Sequence, residues 1–267
     1  IPFIFLTARA EQDDIIAGKN LGAEDYLIKP LRRDQLVSAV RGRLNRARQI
    51  TMSLKLQAYE ASLTVLANAI DHYTQRHTER VTDLAVTLGL QLGWSENRLE
   101  HLRLGAILHD IGKAKYSPEM LEKTTPLTEE EWIAIKRHPI YGAEMIHDIP
   151  YLVEAAPIIR HHHERWDGRG YPDGLAGEAI PLGARLVAVA DSFDAMTSRR
   201  PYSPARSPEA AFAEIQRCSG GQYDPAVVSA FQRAWHQGQI DYIMSKWHNH
   251  QLPPRHEDST SPPLSAV

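Results

Sequence analysis

Leu104-Gly105-Ala106-Ile107-Leu108-His109-Asp110-Ile111-Gly112-Lys113 decides how this chain is read. An apolar run meets an imidazole and a carboxylate, and a glycine and a lysine follow. The run predicts a buried helix, and a carboxylate is costly to bury unless it is paired, hydrogen-bonded or metal-bound. The same conflict recurs in Leu186-Val187-Ala188-Val189-Ala190-Asp191. One His-Asp pair alone would read as a core histidine bonded to its neighbour. Several such groups on different helices change that reading. His77 precedes one amphipathic segment, His138 lies within another, and His161-His162-His163-Glu164 closes a further one. Helices packed side by side can aim such groups at one point. Imidazole and carboxylate without thiolate suit Fe, Mn, Zn, Ni or Co. Five histidines and two aspartates exceed the needs of one ion, and two ions suit hydrolysis of a phosphate ester.

The rest of the composition narrows the classes. The chain has 267 residues, 43% hydrophobic and 24% charged, with a formal net charge of −3. This is ordinary globular composition, which excludes collagen-like and wholly disordered classes. The near-neutral balance argues against a general nucleic-acid binder. No apolar run approaches the ~20 residues of a membrane helix. The single cysteine, Cys218, allows no internal disulfide and fits a reducing, cytoplasmic setting. Of 13 histidines, none precedes His72, nine fall between His72 and His163, and four lie from His236 onward.

Most of the chain reads as helix. Val81, Leu84, Ala85, Leu88 and Leu92 line one helical face. Further helices are predicted over 96–109 with Ser95 as N-cap, 128–146 with Thr128 and Glu131 in capping-box spacing, 151–162, 182–198, 207–218 and 225–235. The first thirty residues differ, reading as strand (Ile1–Leu6), helix (Glu11–Asn20, closed by Gly22) and strand (Asp25–Ile28). Two strands cannot close a doubly wound sheet, so the segment reads as the tail of a larger α/β domain. A long helix from Leu31 to Asp71 follows. Val40, Leu44, Ala47, Thr51, Leu54, Ala58, Ala61 and Val65 recur on it at spacings of four and three, as in a coiled-coil seam. It reads either as a connector pairing two copies or as a helix packed on its own domain. The arginines at 32, 33, 41, 43, 46 and 48 read as its solvated face.

The N-terminal segment resembles response-regulator receiver domains. Thr7 matches the hydroxyl that ends their fourth strand, and Lys29-Pro30 matches the end of their fifth. The phosphorylated aspartate of that family would fall upstream of residue 1. A sensor kinase is therefore expected as a partner only with a full receiver upstream.

The remainder resembles the HD phosphohydrolase superfamily through His109-Asp110-Ile111-Gly112-Lys113. It resembles the HD-GYP branch of that superfamily through 163–172 (His163-Glu164-Arg165-Trp166-Asp167-Gly168-Arg169-Gly170-Tyr171-Pro172). Asp191-Ser192-Phe193-Asp194-Ala195-Met196 and Arg200-Pro201-Tyr202 complete the match. The resemblance implies a mainly α, all-helical, metal-dependent domain that hydrolyses cyclic di-GMP to pGpG, and on to GMP in some members. It implies His77, His109, Asp110, His138, His162, His163 and Asp191 as metal ligands, with Asp110 bridging and a hydroxide between the ions attacking the phosphate. Lys113 would meet a phosphate oxygen or the leaving group, Arg200 the other phosphate, and Tyr171 the substrate lip.

Two departures qualify the match. Trinuclear members carry a glutamate where this chain has Tyr73, so two divalent ions, Fe(II) or Mn(II), are expected. Many members have a lysine where Ser203 and Pro204 stand, with Arg206 a candidate substitute. Two alternatives stay open: a cyclic di-GMP sensor or docking module, and a hydrolase of another cyclic dinucleotide. Glu164 reads as orienting a ligand histidine or as a surface charge, and Trp166 as packing or guanine stacking. His161 is left out of the ligand set, although three adjacent histidines allow a one-residue slip. The expected division is 1–30 receiver fragment, 31–59 connecting helix, 60–240 hydrolase domain and 241–267 disordered tail.

Overall fold

The computed structural model describes residues 4–7, 25–70, 76–121, 123, 125–198 and 205–248. The chain divides into two compact units between Ser62 and Leu63. In the first, β1 (Ile4–Thr7) and β2 (Asp25–Ile28) pair in parallel, with Ile4 beside Asp25 and Thr7 beside Ile28. The helix expected over 11–20 lies outside the described residues. α1 (Arg33–Ile70) runs unbroken for 38 residues, because no proline interrupts a stretch rich in good helix formers. Val40, Leu44, Leu54 and Val65 of its seam are exposed. Within the second unit, Leu63 and Ala67 of the last turns of α1 lie against Leu104, Ile107, Leu108 and Ile146.

The second unit is helical. Its order is α2 (His77–Gln91), α3 (Glu96–Leu108), a 3-10 turn (Ile111–Lys115), α4 (Pro118–Leu121), α5 (Glu129–Ile135), α6 (His138–Ile146), α7 (Ala156–His161), α8 (Leu182–Thr197), α9 (Pro208–Arg217), α10 (Pro225–His236) and α11 (Gln239–His248). α8 is the central helix. Leu186, Val187, Val189, Ala190 and Phe193 on it are fully buried against Val81, Leu84, Leu88, Val227 and Phe231. Burying a side chain of that size contributes roughly 1.5–3 kcal/mol, so α8 is fixed in depth and rotation. That fixes where Asp191 emerges.

Three expectations need correction. The helix expected over 128–146 is two helices with a turn at Lys136-Arg137. Pro139 explains the break, because its ring clashes with the carbonyl four residues back and it supplies no N–H. That carbonyl belongs to Ile135, where α5 ends. Pro157 acts similarly on the helix expected over 151–162. Only a 3-10 turn (Val153–Ala155) precedes α7, which holds Pro157 in its first turn. The disordered tail expected from 241 is a helix as far as His248, because Ile240 and Ile243 are buried in the main core. Residues 249–267 lie outside the described residues.

Candidate metal centre

The seven side chains singled out as ligands stand in two adjoining groups. Asp110, His138, His162 and His163 form one, and His77, His109 and Asp191 the other. Within each group one ligand atom per residue lies within 4.8 Å of every other. Asp110 reaches both: Oδ2 is 3.3 Å from His109 Nε2 in the second group, and Oδ1 is 3.1 Å from His138 Nε2 in the first. Gly112 allows this approach. A Cβ there would lie 2.0 Å from the His138 carbonyl oxygen, so only glycine lets the 3-10 turn sit against α6.

One local device aims three of the histidines. His109, His138 and His162 each donate from Nδ1, at 2.7 Å, to the carbonyl three residues earlier, on Ala106, Ile135 and Ile159. A carbonyl can only accept, so Nδ1 carries the hydrogen and Nε2 faces the centre. His77 is aimed differently. Its Nδ1 donates at 2.7 Å to Oδ2 of Asp194, which also accepts from Arg80. Asp194 is buried on α8 one turn past Asp191.

The result is a cluster of facing lone pairs. The Nε2 atoms of His138 and His162 are 3.4 Å apart, as are those of His77 and His109. Neutral imidazoles in that orientation cannot satisfy one another, whereas a cation beside them can accept every lone pair. The donor set therefore fits divalent metal of the nitrogen–oxygen class.

Without an ion, the electrostatics keep His162 and His163 neutral but leave a second proton on His109, which a bound cation would replace. Burial drives His162 well below its usual range, helped by the neighbouring imidazoles, and lowers His163 to about 3. Burial also opposes charge on His109, but the Asp110 and Asp191 carboxylates outweigh it and raise His109 to about 9. Burial would raise Asp110 too; the Lys113 ammonium and His109 hold it well below the carboxylate range. For Asp191, His77 and His109 outweigh burial and lower it.

The other expected site residues divide. Lys113 is ion-paired with Asp110 Oδ2. Tyr171 packs its ring 4.8 Å from the His163 ring, 31° from parallel. Arg200, Ser203, Pro204 and Tyr73 lie outside the described residues. Arg206 is exposed and near Glu214. Trp166 packs against Arg185, whose partner is Asp224.

Glu164 has neither of its two expected roles. It is buried, and Oε1 accepts from the backbone N–H groups of Asp173 at 2.7 Å and Gly174 at 3.0 Å. It thereby ties down the turn that carries Tyr171. Gly170 is required there, since a Cβ would fall 2.4 Å from the Arg165 nitrogen. His161 stands apart with Glu164 and Asp173. Arg160 takes both Asp173 oxygens at 2.8 Å, so Asp173 in that third group already has its counter-charge. Asp194 and Arg80 were missed from sequence. The available signal was the second aspartate in Asp191-Ser192-Phe193-Asp194, three residues on and so on the same helix face.

Comparison with known proteins bears on this arrangement. A family model described as HD domain matches residues 63–227. The cyclic di-GMP phosphodiesterase response regulator RpfG of Xanthomonas campestris pv. campestris is 36% identical over 269 residues, which cover 92% of this chain and 70% of that protein. A cyclic di-GMP phosphodiesterase of Thermotoga maritima is 44% identical over 171 residues, 63% of this chain and 46% of that protein. This chain therefore spans less than half of the second relative. The crystal structure of a cyclic GMP-AMP specific phosphodiesterase from V. cholerae superposes with a TM-score of 0.57 at 21% identity. The match covers 74% of this chain and 54% of that one, and it speaks to the fold alone.

Proposed function

The chain belongs to the HD domain family, and from that premise we propose that it hydrolyses cyclic di-GMP to the linear dinucleotide pGpG. One observation carries the reading. A single carboxylate, Asp110, faces two histidine-bearing groups, and Nε2 of His77, His109, His138 and His162 all lie toward the carboxylates or toward one another. The names of the two relatives supply the substrate class.

In this reading His77, His109 and Asp191 would hold one divalent ion, and His138, His162 and His163 another, with Asp110 shared. Fe(II) and Mn(II) suit this donor set. Bound there, the ions supply a lowered water pKa and charge stabilisation for the phosphate oxygens. The chain's own groups do the rest. Asp110 and Asp191 bring negative charge that offsets the ions. Lys113, paired with Asp110 Oδ2, meets a phosphate oxygen or the leaving oxygen as a point-charge donor. Tyr171 covers His163 and shapes the lip. Arg200 is kept as the contact to the second phosphate.

The finer parts of the reading are proposals too. The chain is of the HD-GYP type, with residues 1–30 the end of a receiver domain and 31–59 a connecting helix. The hydrolase domain is put at 60 to 248, its end moved out to include α11. The match to a named response regulator along 92% of the chain supports the receiver part. The exposed seam of α1 supports a homodimer paired through that helix. Among the described residues no helix is long and apolar enough to cross a membrane. A cytoplasmic setting is proposed on the single cysteine, and nucleic acid is not expected as a partner.

The test is anaerobic incubation of Fe(II)- or Mn(II)-loaded protein with cyclic di-GMP, 3'3'-cGAMP and cyclic di-AMP, with products separated by chromatography. The reading expects pGpG from cyclic di-GMP and at least about 100-fold less from Asp110→Ala. Turnover of another dinucleotide alone would move the substrate assignment. Tight binding of cyclic di-GMP without product would make the protein a sensor.

A further inference from the structure

The short helix α5 has an unusual balance. It buries none of its residues, yet carries Trp132, 52% exposed, and Ile133, 62% exposed. Its place is nevertheless well fixed. The capping box of Thr128 and Glu131 starts it, Lys123 pairs with Glu131, and the Tyr116 hydroxyl donates to the Ala134 carbonyl at 2.6 Å. A rigidly held helix that turns an indole to solvent contributes little to the core. That points to a role at the surface it presents.

Lys136 gives that surface a direction. Its Nζ lies 5.6 Å from the Trp132 ring centre and 5.6 Å from the Tyr171 ring centre. One exposed ammonium thus serves two aromatic rings, and the second is the ring packed beside His163. The sequence His163–Tyr171–Lys136–Trp132 is a continuous path from the metal centre to open solvent. Its order is that of an extended anionic ligand with flat ends: ligand histidine, aromatic, cation, aromatic. Trp132 and Lys136 stand four residues apart and so on one face, with Lys136 at the end of α5.

We propose that Lys136 and Trp132 form a substrate subsite beside the metal centre. Lys136 adds a second cation, besides Arg200, for the phosphate that is not being cleaved, and Trp132 offers a stacking face to the adjoining base. The subsite rests on the cyclic dinucleotide reading given above. The chemistry is that of single-stranded nucleotide recognition, in which an aromatic face serves the base and a cation the backbone. Tyr171 is common to both parts. Its ring centre lies 4.8 Å from that of His163 and 5.6 Å from the Lys136 ammonium, so the two subsites share one wall.

The experiment compares two substrates on the Mn(II)-loaded full chain. Cyclic di-GMP offers a second phosphate and bases, whereas bis(4-nitrophenyl) phosphate offers one phosphate and no base. Lys136→Gln and Trp132→Leu change exposed side chains. Each is expected to raise KM for cyclic di-GMP by roughly 10-fold while kcat changes less than about 3-fold. Lys136→Arg is expected to recover most of the loss, and metal content stays at the wild-type level in all three. On bis(4-nitrophenyl) phosphate the loss in kcat/KM is expected to be far smaller. Unchanged KM for cyclic di-GMP in both variants, with active wild type, overturns the subsite alone. An equal loss on both substrates also overturns it, since that marks damage to the metal centre. Wild-type turnover of the small diester with none of any cyclic dinucleotide overturns the substrate reading, and the subsite with it.

Discussion

His77 and Asp194 meet through Nδ1 and Oδ2 at 2.7 Å, both buried, at the edge of the centre. The contact turns Nε2 of His77 toward Asp191, 3.5 Å away, and toward His109. Asp194 is itself held by Arg80, which also donates to the Ser198 hydroxyl at 3.0 Å. Carboxylates that orient a ligand histidine typically matter 10–100-fold in metal affinity. Asp194→Ala is therefore expected to weaken metal binding about 10–100-fold, while Asp194→Asn, which keeps an acceptor for Nδ1–H, loses less. Metal titration under defined free-ion concentration checks this. Wild-type affinity in Asp194→Ala would contradict it.

Metal removal should reshape stability against pH. His109 is raised to about 9 in the folded chain, from an ordinary value of 6.5. A raised histidine contributes stability that is full below 6.5 and lost as pH climbs through 9. His163, lowered to about 3, works the other way. The unfolded chain binds its proton more readily, so stability rises between pH 3 and 6.5. Asp110 adds to that rise at the acid end. Chelator-treated protein should show its highest Tm near pH 6.5, between the two limbs. Rebinding metal at neutral pH must displace the His109 proton, which calorimetry in buffers of different ionisation enthalpy detects. A Tm flat from pH 6.5 to 9 in metal-free protein would count against this assignment.

Two glycines give opposite expectations. Gly112→Ala drives a Cβ to 2.0 Å from the His138 carbonyl oxygen and 2.6 Å from the Gly142 nitrogen, both α6 backbone, so the 3-10 turn must move. That displaces Asp110 from His138. It should cost at least about 1–3 kcal/mol and lower metal content. Gly42 lies in α1 with nothing within 4 Å of its notional Cβ. Gly42→Ala should stabilise α1 by about 0.5–1 kcal/mol. Thermal melts and metal analysis of the pair separate the two effects.

Glu164 predicts a loop phenotype. Glu164→Ala leaves the Asp173 and Gly174 N–H groups without their acceptor, at about 1–3 kcal/mol each where buried. The turn bearing Tyr171 should loosen. KM is then expected to rise more than kcat falls, with metal content unchanged. Faster hydrogen exchange over 170–175 would report the same change directly. Protection as in wild type would contradict it.

Much of this site was readable before any coordinates. A carboxylate ending an apolar run marked Asp110 and Asp191 as candidates, and the resemblance to the HD superfamily implied the set of seven side chains that the structure brings together in two groups. The capping box at Thr128 was equally local. What escaped was set by geometry beyond the motif. The break before His138 follows from Pro139, yet the helical pattern on either side masks it. Asp194 looked like one more helical aspartate until α8 was fixed in rotation by Phe193 and Ala190. Glu164 sits inside a motif, but its partners are main-chain groups nine and ten residues on, which side-chain identity does not encode. The α11 helix was obscured by the proline-rich sequence that follows it.

The central claim is a two-ion centre bridged by Asp110, and metal analysis tests it most directly. Protein reconstituted anaerobically with Fe(II) or Mn(II) and freed of excess metal should hold about two ions per chain. Asp110→Ala, which removes the only carboxylate in contact with both groups among the described residues, should hold about one or fewer. One ion in the wild type, or two retained by Asp110→Ala, would contradict the account.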